Sequence, residues 1–272
     1  GWALSFGRPW VVGPVAYENH DPLDRDIANL KAAMADSKPS EAFMTAASPG
    51  VLSKFVPDNY YKDEDAYIEA MANAMQTEYE AIHAAGLVLQ IDCPDFGSAR
   101  HNQYKHLSDD EFLKIAWRNM EAVNAATSNI PPGDMRLHIC WGNYEGPHVC
   151  DIDMDKVFGT LMGTRASYIL FETSNPRHAH EWTVFRDRAA EIPEDKILVP
   201  GVVDTTTNFV EHPELVAQRI DRFVNIVGAD RVIAGSDCGF GTFAGFGAVD
   251  PEIAYAKLAS LSAGARLASE RL

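Results

Sequence analysis

Short apolar runs recur along the chain, and polar or helix-patterned stretches separate each run from the next. Apolar runs of this length that are bounded by turn residues are typical of buried strands. The pattern predicts seven strands: PWVVGPV (9–15), EAFMTAA (41–47), GLVLQID (86–92), MRLHIC (135–140), SYILFE (167–172), KILVPGVVD (196–204) and RVIAGSD (231–237).

Amphipathic stretches fill the intervals and predict helices over 64–86, 106–126 and 212–230. Regular alternation of strand and helix indicates parallel βαβ units, and near-continuously apolar strands indicate a sheet covered by helices. We therefore predict an α/β fold, a (β/α)8 TIM barrel whose first strand is missing or precedes residue 1. The segment WALSF (2–6) is a weak substitute for that strand. Because no repeat or linker divides the chain, we expect a single TIM-barrel domain over 1–272.

Composition narrows the function classes. Hydrophobic residues make up 46% of the 272 residues, which supports a substantial core. The formal net charge of −16 repels nucleic acid phosphates and anionic membranes, so small-molecule partners are expected, with neither nucleic acid nor membrane. The chain has no long apolar span and no signal-peptide pattern at its first residues, so we expect a cytoplasmic protein. Homo-oligomerisation stays open.

Ligand-type residues cluster at the predicted strand ends, where parallel barrels carry their active sites. His138 and Cys140 close one strand, and their spacing of two residues places both side chains on the same face. Glu172 closes the next strand, and Cys238 follows the last. One imidazole, one carboxylate and two thiolates suit tetrahedral Zn²⁺. The alternative is that the cysteines are small buried hydrophobes and the glutamate a satisfied barrel acid.

Four further features give weaker signals. Asp92 ends a strand, where it either binds an ammonium or hydroxyl group of a substrate or caps its loop, while the next residue, Cys93, should face elsewhere. His148 and Cys150 lie in a predicted loop with no geometric reason to reach the strand ends.

DIDMD (151–155) lacks the later residues of a calcium loop and is interpreted as a solvated, acidic helix start. GFGTFAGFG (239–247) is interpreted as a flexible active-site loop, whose amides are also candidates to hold a carboxylate or phosphate.

Several motifs together resemble the catalytic barrel of cobalamin-independent methionine synthase, in order from about residue 41 to the end: LQID (89–92), HIC (138–140), FETS (171–174), PGVVD (200–204) and SDCG (236–239). The resemblance implies that zinc is bound by His138, Cys140, Glu172 and Cys238. It implicates Asp92 in holding an amino acid. The candidate catalytic residues are Glu172 and Asp92, and the candidate substrate-binding residues are Asp92, Asn143, Ser174 and Asp204.

Two departures from the family pattern concern the substrate. Cys93 stands where the family has an acid, and Thr206 stands where a histidine of the family assists proton transfer. The segment HICWGN is also closer to single-barrel relatives that include epoxyalkane:coenzyme M transferase. The resemblance therefore implies the zinc chemistry more strongly than it implies the methyl donor or the thiol.

The favoured hypothesis is a zinc-dependent methyl or alkyl transferase that activates a thiol as a thiolate, with a donor or thiol different from those of methionine synthase. One alternative is a zinc lyase or hydrolase, in which the metal carries water. Another is an epoxide:thiol transferase on the same barrel, and a third is a binding protein with structural zinc. The sequence names neither the donor nor the acceptor thiol.

Overall fold

A parallel sheet forms the centre of the computed structural model, which describes residues 9–243, 246–247 and 249–272. Its six strands lie side by side in sequence order, so that each of the first five pairs with the next strand along the chain. The strands are β1 (Phe43–Ala47), β2 (Val88–Asp92), β3 (Met135–His138), β4 (Tyr168–Phe171), β5 (Ile197–Val203) and β6 (Gly235–Ser236).

Helices follow the strands and cover the sheet. Their ends carry the expected signals: Asp63 caps α3 with its carboxylate, and Ser108 and Glu111 form a capping box on α5. The helices are α1 (Asp21–Ser37), α2 (Pro49–Phe55), α3 (Glu64–Ala84), α4 (Ala99–Asn102), α5 (Asp109–Ala126), α6 (Met154–Met162), α7 (Trp182–Asp187), α8 (Pro213–Val227) and α9 (Pro251–Ser269). None of the helices in the described part of the chain has the length and apolar character that crossing a bilayer requires.

The predicted α/β class and the order of the parallel strands are confirmed, but the structure supports only part of the predicted barrel. Six parallel strands in sequential order form a half-barrel, and the described residues do not close it into eight strands. The prediction of three long helices is confirmed with shifts of a few residues at their ends. That all 272 residues form one domain stays a prediction.

The strand predicted over 9–15 is wrong. Only one bridge forms there, between Val11 and Asp58, and Val12 is 77% exposed. Pro9 and Pro14 lack the N–H groups that a strand ladder needs, and the run has no buried face to stabilise it. The proposed substitute strand, residues 2–6, lies outside the described residues.

The segment 239–247 was predicted as a loop and instead contains two short antiparallel strands, β7 (Gly241–Phe243) and β8 (Phe246–Gly247). Two of its residues, 244 and 245, lie outside the described part of the chain. The last predicted core strand, over 231–237, is shorter than expected, because residues 229–231 form a 3-10 turn and only Gly235–Ser236 pairs as β6.

The register of the sheet aligns the ends of neighbouring strands. Asp92, the last residue of β2, pairs directly with His138, the last residue of β3. Beneath this edge lies an apolar core in which Phe171 of β4 stacks on Phe185 at 4.2 Å and packs edge-on against Phe223. A rigid, close-packed base of this kind fixes the strand ends on which polar side chains then meet.

Two helical glycines give a matched test of the packing. A Cβ at Gly264 of α9 would lie 2.4 Å from Val216 Cβ of α8, whereas a Cβ at Gly159 of α6 would meet nothing within 4 Å. We expect Gly264→Ala to lower the free energy of unfolding by about 1–3 kcal/mol, through overpacking of the α8–α9 contact. Gly159→Ala should raise it by about 0.5–1 kcal/mol, because alanine is the better helix former. Urea denaturation of both variants checks the prediction, and a shift of the same sign in both would contradict it.

Candidate functional site

His138 ends β3 and is held from both sides of its ring. Its Nδ1 lies 2.7 Å from Asp92 Oδ1, and its Nε2 lies 3.1 Å from the carbonyl oxygen of Asp237. Burial acts to lower the pKa of His138, but the hydrogen bond and the charge of Asp92 raise it to about 10. Asp92, which the sequence left open between a substrate contact and a structural role, therefore has a protein partner and fixes the orientation of the imidazole. Its substrate-binding role stays a prediction.

Two thiols meet this imidazole. Cys140 follows β3 and Cys238 follows β6, and both are buried. The ligand atoms of His138, Cys140 and Cys238 all lie within 4.8 Å of one another. The neighbouring Cys140 and burial raise the pKa of Cys238 well above its ordinary value. Two thiols and nearby carboxylates in a buried space form a set that a cation would stabilise as thiolates.

Glu172 follows β4 and lies against the same group. Its Oε1 is 3.7 Å from Cys238 Sγ and accepts a hydrogen bond of 2.8 Å from the backbone N–H of Trp141. Its Oε2 accepts from the side-chain amide of Asn175 at 2.7 Å. Burial raises the pKa of Glu172. The carboxylate is therefore beside the thiols, held by two N–H donors.

Asp237 was not among the residues that sequence reasoning selected. Its buried carboxylate accepts hydrogen bonds from the backbone N–H groups of Thr173, Ser174 and Asn175 at 2.8–2.9 Å. Burial, together with the charge of Glu172, raises its pKa to about 8. Its position directly before Cys238 at a strand end was the signal that could have identified it.

A pocket of about 400 Å³ opens above these groups. Of the predicted substrate-binding residues, Asn143 and Asp204 line it, as do Glu172 and Cys238. Ser174 points elsewhere: its hydroxyl donates to the carbonyl of Gly201 at 2.8 Å and accepts from Arg219 at 3.0 Å. The substrate-binding roles of these residues stay predictions.

Cys93 faces the apolar core and is fully buried, as strand alternation predicts. Cys150 is exposed, and among the described residues it belongs to neither group of side chains that could hold a metal ion. His148, in contrast, reaches the pocket from its loop. The expectation that this loop has no reason to approach the strand ends therefore fails for His148.

Asp151 corrects a second expectation. Its side chain is 1% exposed, so it does not belong to a solvated helix start, and α6 begins only at Met154. Three histidines surround it: His148 Nδ1 and His178 Nε2 lie 2.7 and 3.1 Å from Oδ2, and His101 Nδ1 lies 2.7 Å from Oδ1. Burial acts to raise the pKa of Asp151, but the histidines hold it well below its usual range.

A half-barrel of parallel strands with an imidazole, two thiols and a carboxylate at its carboxyl edge defines an α/β protein with a candidate metal centre. The family profile described as "Cobalamin-independent synthase, Catalytic domain" matches residues 1–250. The chain belongs to this family, as its motifs had indicated.

Curated relatives agree with the family. The chain is similar to a methionine synthase of Saccharolobus solfataricus, with 24% identity over 279 residues, all of this chain and 70% of the relative. A methionine synthase of Saccharolobus islandicus is 22% identical over 84% of this chain and 59% of its own length. A 5-methyltetrahydropteroyltriglutamate–homocysteine methyltransferase of Mesembryanthemum crystallinum is 22% identical, and the chain spans 33% of it.

Among solved structures, the fold is similar to that of a B12-independent methionine synthase from Shewanella sp. W3-18-1 in complex with selenomethionine. The TM-score is 0.72, with 19% identity, over 96% of this chain and 70% of that one. The likeness supports the barrel-type arrangement of strands.

Proposed function

We propose that the protein is a zinc-dependent transferase that moves a methyl or alkyl group to a small-molecule thiol. The observation that carries the proposal is the meeting of His138, Cys140 and Cys238, whose ligand atoms lie within 4.8 Å of one another. Glu172 lies beside Cys238, and both of these residues line the pocket. Membership of the cobalamin-independent synthase family and the names of the relatives support transfer to a thiol.

The donor set fits zinc. Two cysteines, one histidine and one carboxylate are ligands that tetrahedral Zn²⁺ accepts. Asp92 holds His138 Nδ1 at 2.7 Å, which matches the usual carboxylate–histidine support of such sites. The metal would then take Nε2, in place of the contact that this nitrogen makes with the carbonyl oxygen of Asp237 at 3.1 Å. We assign the metal to His138, Cys140, Glu172 and Cys238. Zinc bound there would lower the pKa of an incoming thiol and favour its thiolate at neutral pH.

The residues of the chain then bind and orient the reactants. Glu172 is the carboxylate beside Cys238 at the pocket, and Asn175 and Trp141 N–H hold its two oxygens in place. Its carboxylate lines the pocket beside Cys238, where it would orient an incoming thiol and take up its proton. Asn143 and Asp204 lie at the walls, where they orient the polar parts of the substrates.

The pocket argues for a donor other than a polyanionic folate. Apart from Glu172 and Asp237, which are buried beside the proposed metal and have raised pKa values, its described lining carries two acids, Glu145 and Asp204, and one arginine, Arg177. Such a lining offers no basic track for a polyglutamate tail. Thr206 adds to the argument, because its hydroxyl is bound to Asp204 Oδ1 at 2.9 Å and cannot carry protons as an imidazole does.

Zinc content should depend on the two buried thiols. We expect Cys140→Ser and Cys238→Ser each to lose most of the bound zinc, because thiolates contribute strongly to affinity in a mixed site. Cys150→Ser, which changes an exposed cysteine, is the matched control and should keep the metal. Metal analysis of zinc-loaded, desalted protein measures the outcome. Full zinc in both buried-cysteine variants would refute the assignment.

Glu172→Gln should keep much of the zinc and lower turnover on the order of 10²-fold, because an amide has the same size but neither the charge nor the basicity of the carboxylate. Glu145→Gln, on the wall of the same pocket, serves as the control and should retain most of the activity. Steady-state rates with an active thiol and donor pair provide the measurement. If Glu172→Gln turned over at the wild-type rate, the glutamate would be structural.

Methyl transfer from a polyglutamylated methyltetrahydrofolate to homocysteine should be slow or absent in the zinc-loaded protein, since the pocket lining, Cys93 and Thr206 all depart from what that donor and acceptor require. A Co²⁺-substituted sample of the same protein should still bind small thiols, which is measured as a change in its absorption spectrum. Formation of methionine at about 1 s⁻¹ or faster would overturn this prediction, since that is an ordinary enzymatic rate.

A further inference from the structure

We infer a second metal site, separate from the cysteine site formed by Cys140 and Cys238. In it, His148, Asp151 and His178 bind a divalent transition metal. Their ligand atoms lie within 4.8 Å of one another. Two imidazoles and one carboxylate are a recognised ligand set for divalent first-row metals such as Fe²⁺ and Zn²⁺. The cluster contains no thiol, so its metal preference should differ from that of the cysteine site.

The second nitrogen of each histidine supports this interpretation. His178 presents Nε2 to Asp151, and its Nδ1 lies 2.8 Å from Glu181 Oε2. His148 presents Nδ1, and its Nε2 lies 3.0 Å from the carbonyl oxygen of Tyr144. With the metal on the inner nitrogens, each outer N–H donates to an acceptor that is already in place. This is the usual support of metal-binding histidines.

Hydrogen bonding alone explains the cluster less well. His148 Nδ1 and His178 Nε2 crowd the same oxygen of Asp151. On the other oxygen, Asp151 Oδ1 and His101 Nδ1 are 2.7 Å apart but are oriented without a hydrogen bond, so both buried atoms lack one. Their side chains are 1% and 10% exposed. A buried carboxylate oxygen without a hydrogen bond is costly, and a cation bound to Asp151 would offset that cost.

The backbone around the cluster points the same way. His148 has a φ of +52°, a left-handed conformation that non-glycine residues rarely adopt. This conformation directs the ring at Asp151 while His148 also lines the pocket that contains Glu172 and Cys238. A metal held here would therefore lie beside the same pocket, with a ligand residue facing the substrates.

The two sites can be distinguished by their ligands. The variant Cys140→Ser/Cys238→Ser removes the two thiols that meet His138 and leaves the histidine cluster intact. Loaded with Co²⁺ alone and desalted, it should retain about one Co²⁺ per chain and show no thiolate-to-cobalt charge-transfer absorption. Adding His178→Gln to this background should lower bound Co²⁺ at least tenfold, because one of three ligands is lost. Adding His83→Gln should leave bound Co²⁺ unchanged, since His83 forms only a half-exposed pair with Asp134.

His148→Gln, in the loop, repeats the test should His178→Gln fail to fold, and circular dichroism confirms folding in each variant. The inference is overturned if the double-cysteine background binds no Co²⁺, or if folded His178→Gln or His148→Gln binds as much as the His83→Gln control. The proposed transferase function is tested separately. It fails if Co²⁺-loaded wild-type protein shows no thiolate-to-cobalt absorption, and that result does not bear on the histidine site.

Discussion

The arrangement of the site depends on the burial of the Asp237 carboxylate beneath the segment that follows β4. Three consecutive backbone N–H groups, from Thr173 to Asn175, donate to it. Backbone donors have a fixed position, so the carboxylate ties the end of β4 to the end of β6. Glu172 and Cys238 are the residues immediately adjoining this bond network, and their 3.7 Å contact follows from it.

Burying the Asp237 carboxylate affects both its own protonation and the residue that can stand opposite it on β5. Burial and the neighbouring charge of Glu172 raise the pKa of Asp237 to about 8. Replacing Gly201 by any other residue would displace the Asp237 carboxylate, because a Cβ there would lie 2.1 Å from Asp237 Oδ1. Only a residue without a side chain lets β5 approach the carboxylate this closely, which accounts for a glycine in the middle of an otherwise apolar strand.

The sheet and the cysteine site were predictable because both follow from simple periodicities. A spacing of two residues put His138 and Cys140 on one face, and the parallel order of strands brought Glu172 and Cys238 to the same edge. The predicted strand over 9–15 failed because hydrophobic composition alone does not show whether a run has a partner. Its prolines were the stronger signal.

The histidine cluster follows no such period. Its histidines lie in three different segments: His101 follows β2, His148 follows β3 and His178 follows β4. The positive φ at His148 cannot be predicted from the residue type. DIDMD was judged by its likeness to a calcium loop, whereas the burial of Asp151 depends on where those three segments pack. Loop residues that converge through tertiary packing are visible only once the chain is folded.

Trp141 connects the two groups physically. Its backbone N–H donates to Glu172, and its fully buried indole stacks on the ring of His178 at 4.3 Å. Its indole N–H donates to the carbonyl oxygen of Ile152, next to Asp151, at 2.6 Å. A close-packed side chain with three such contacts has little freedom to move independently. Trp141 therefore fixes the position of Glu172 relative to His178 and Asp151, so the two groups of side chains share one rigid support.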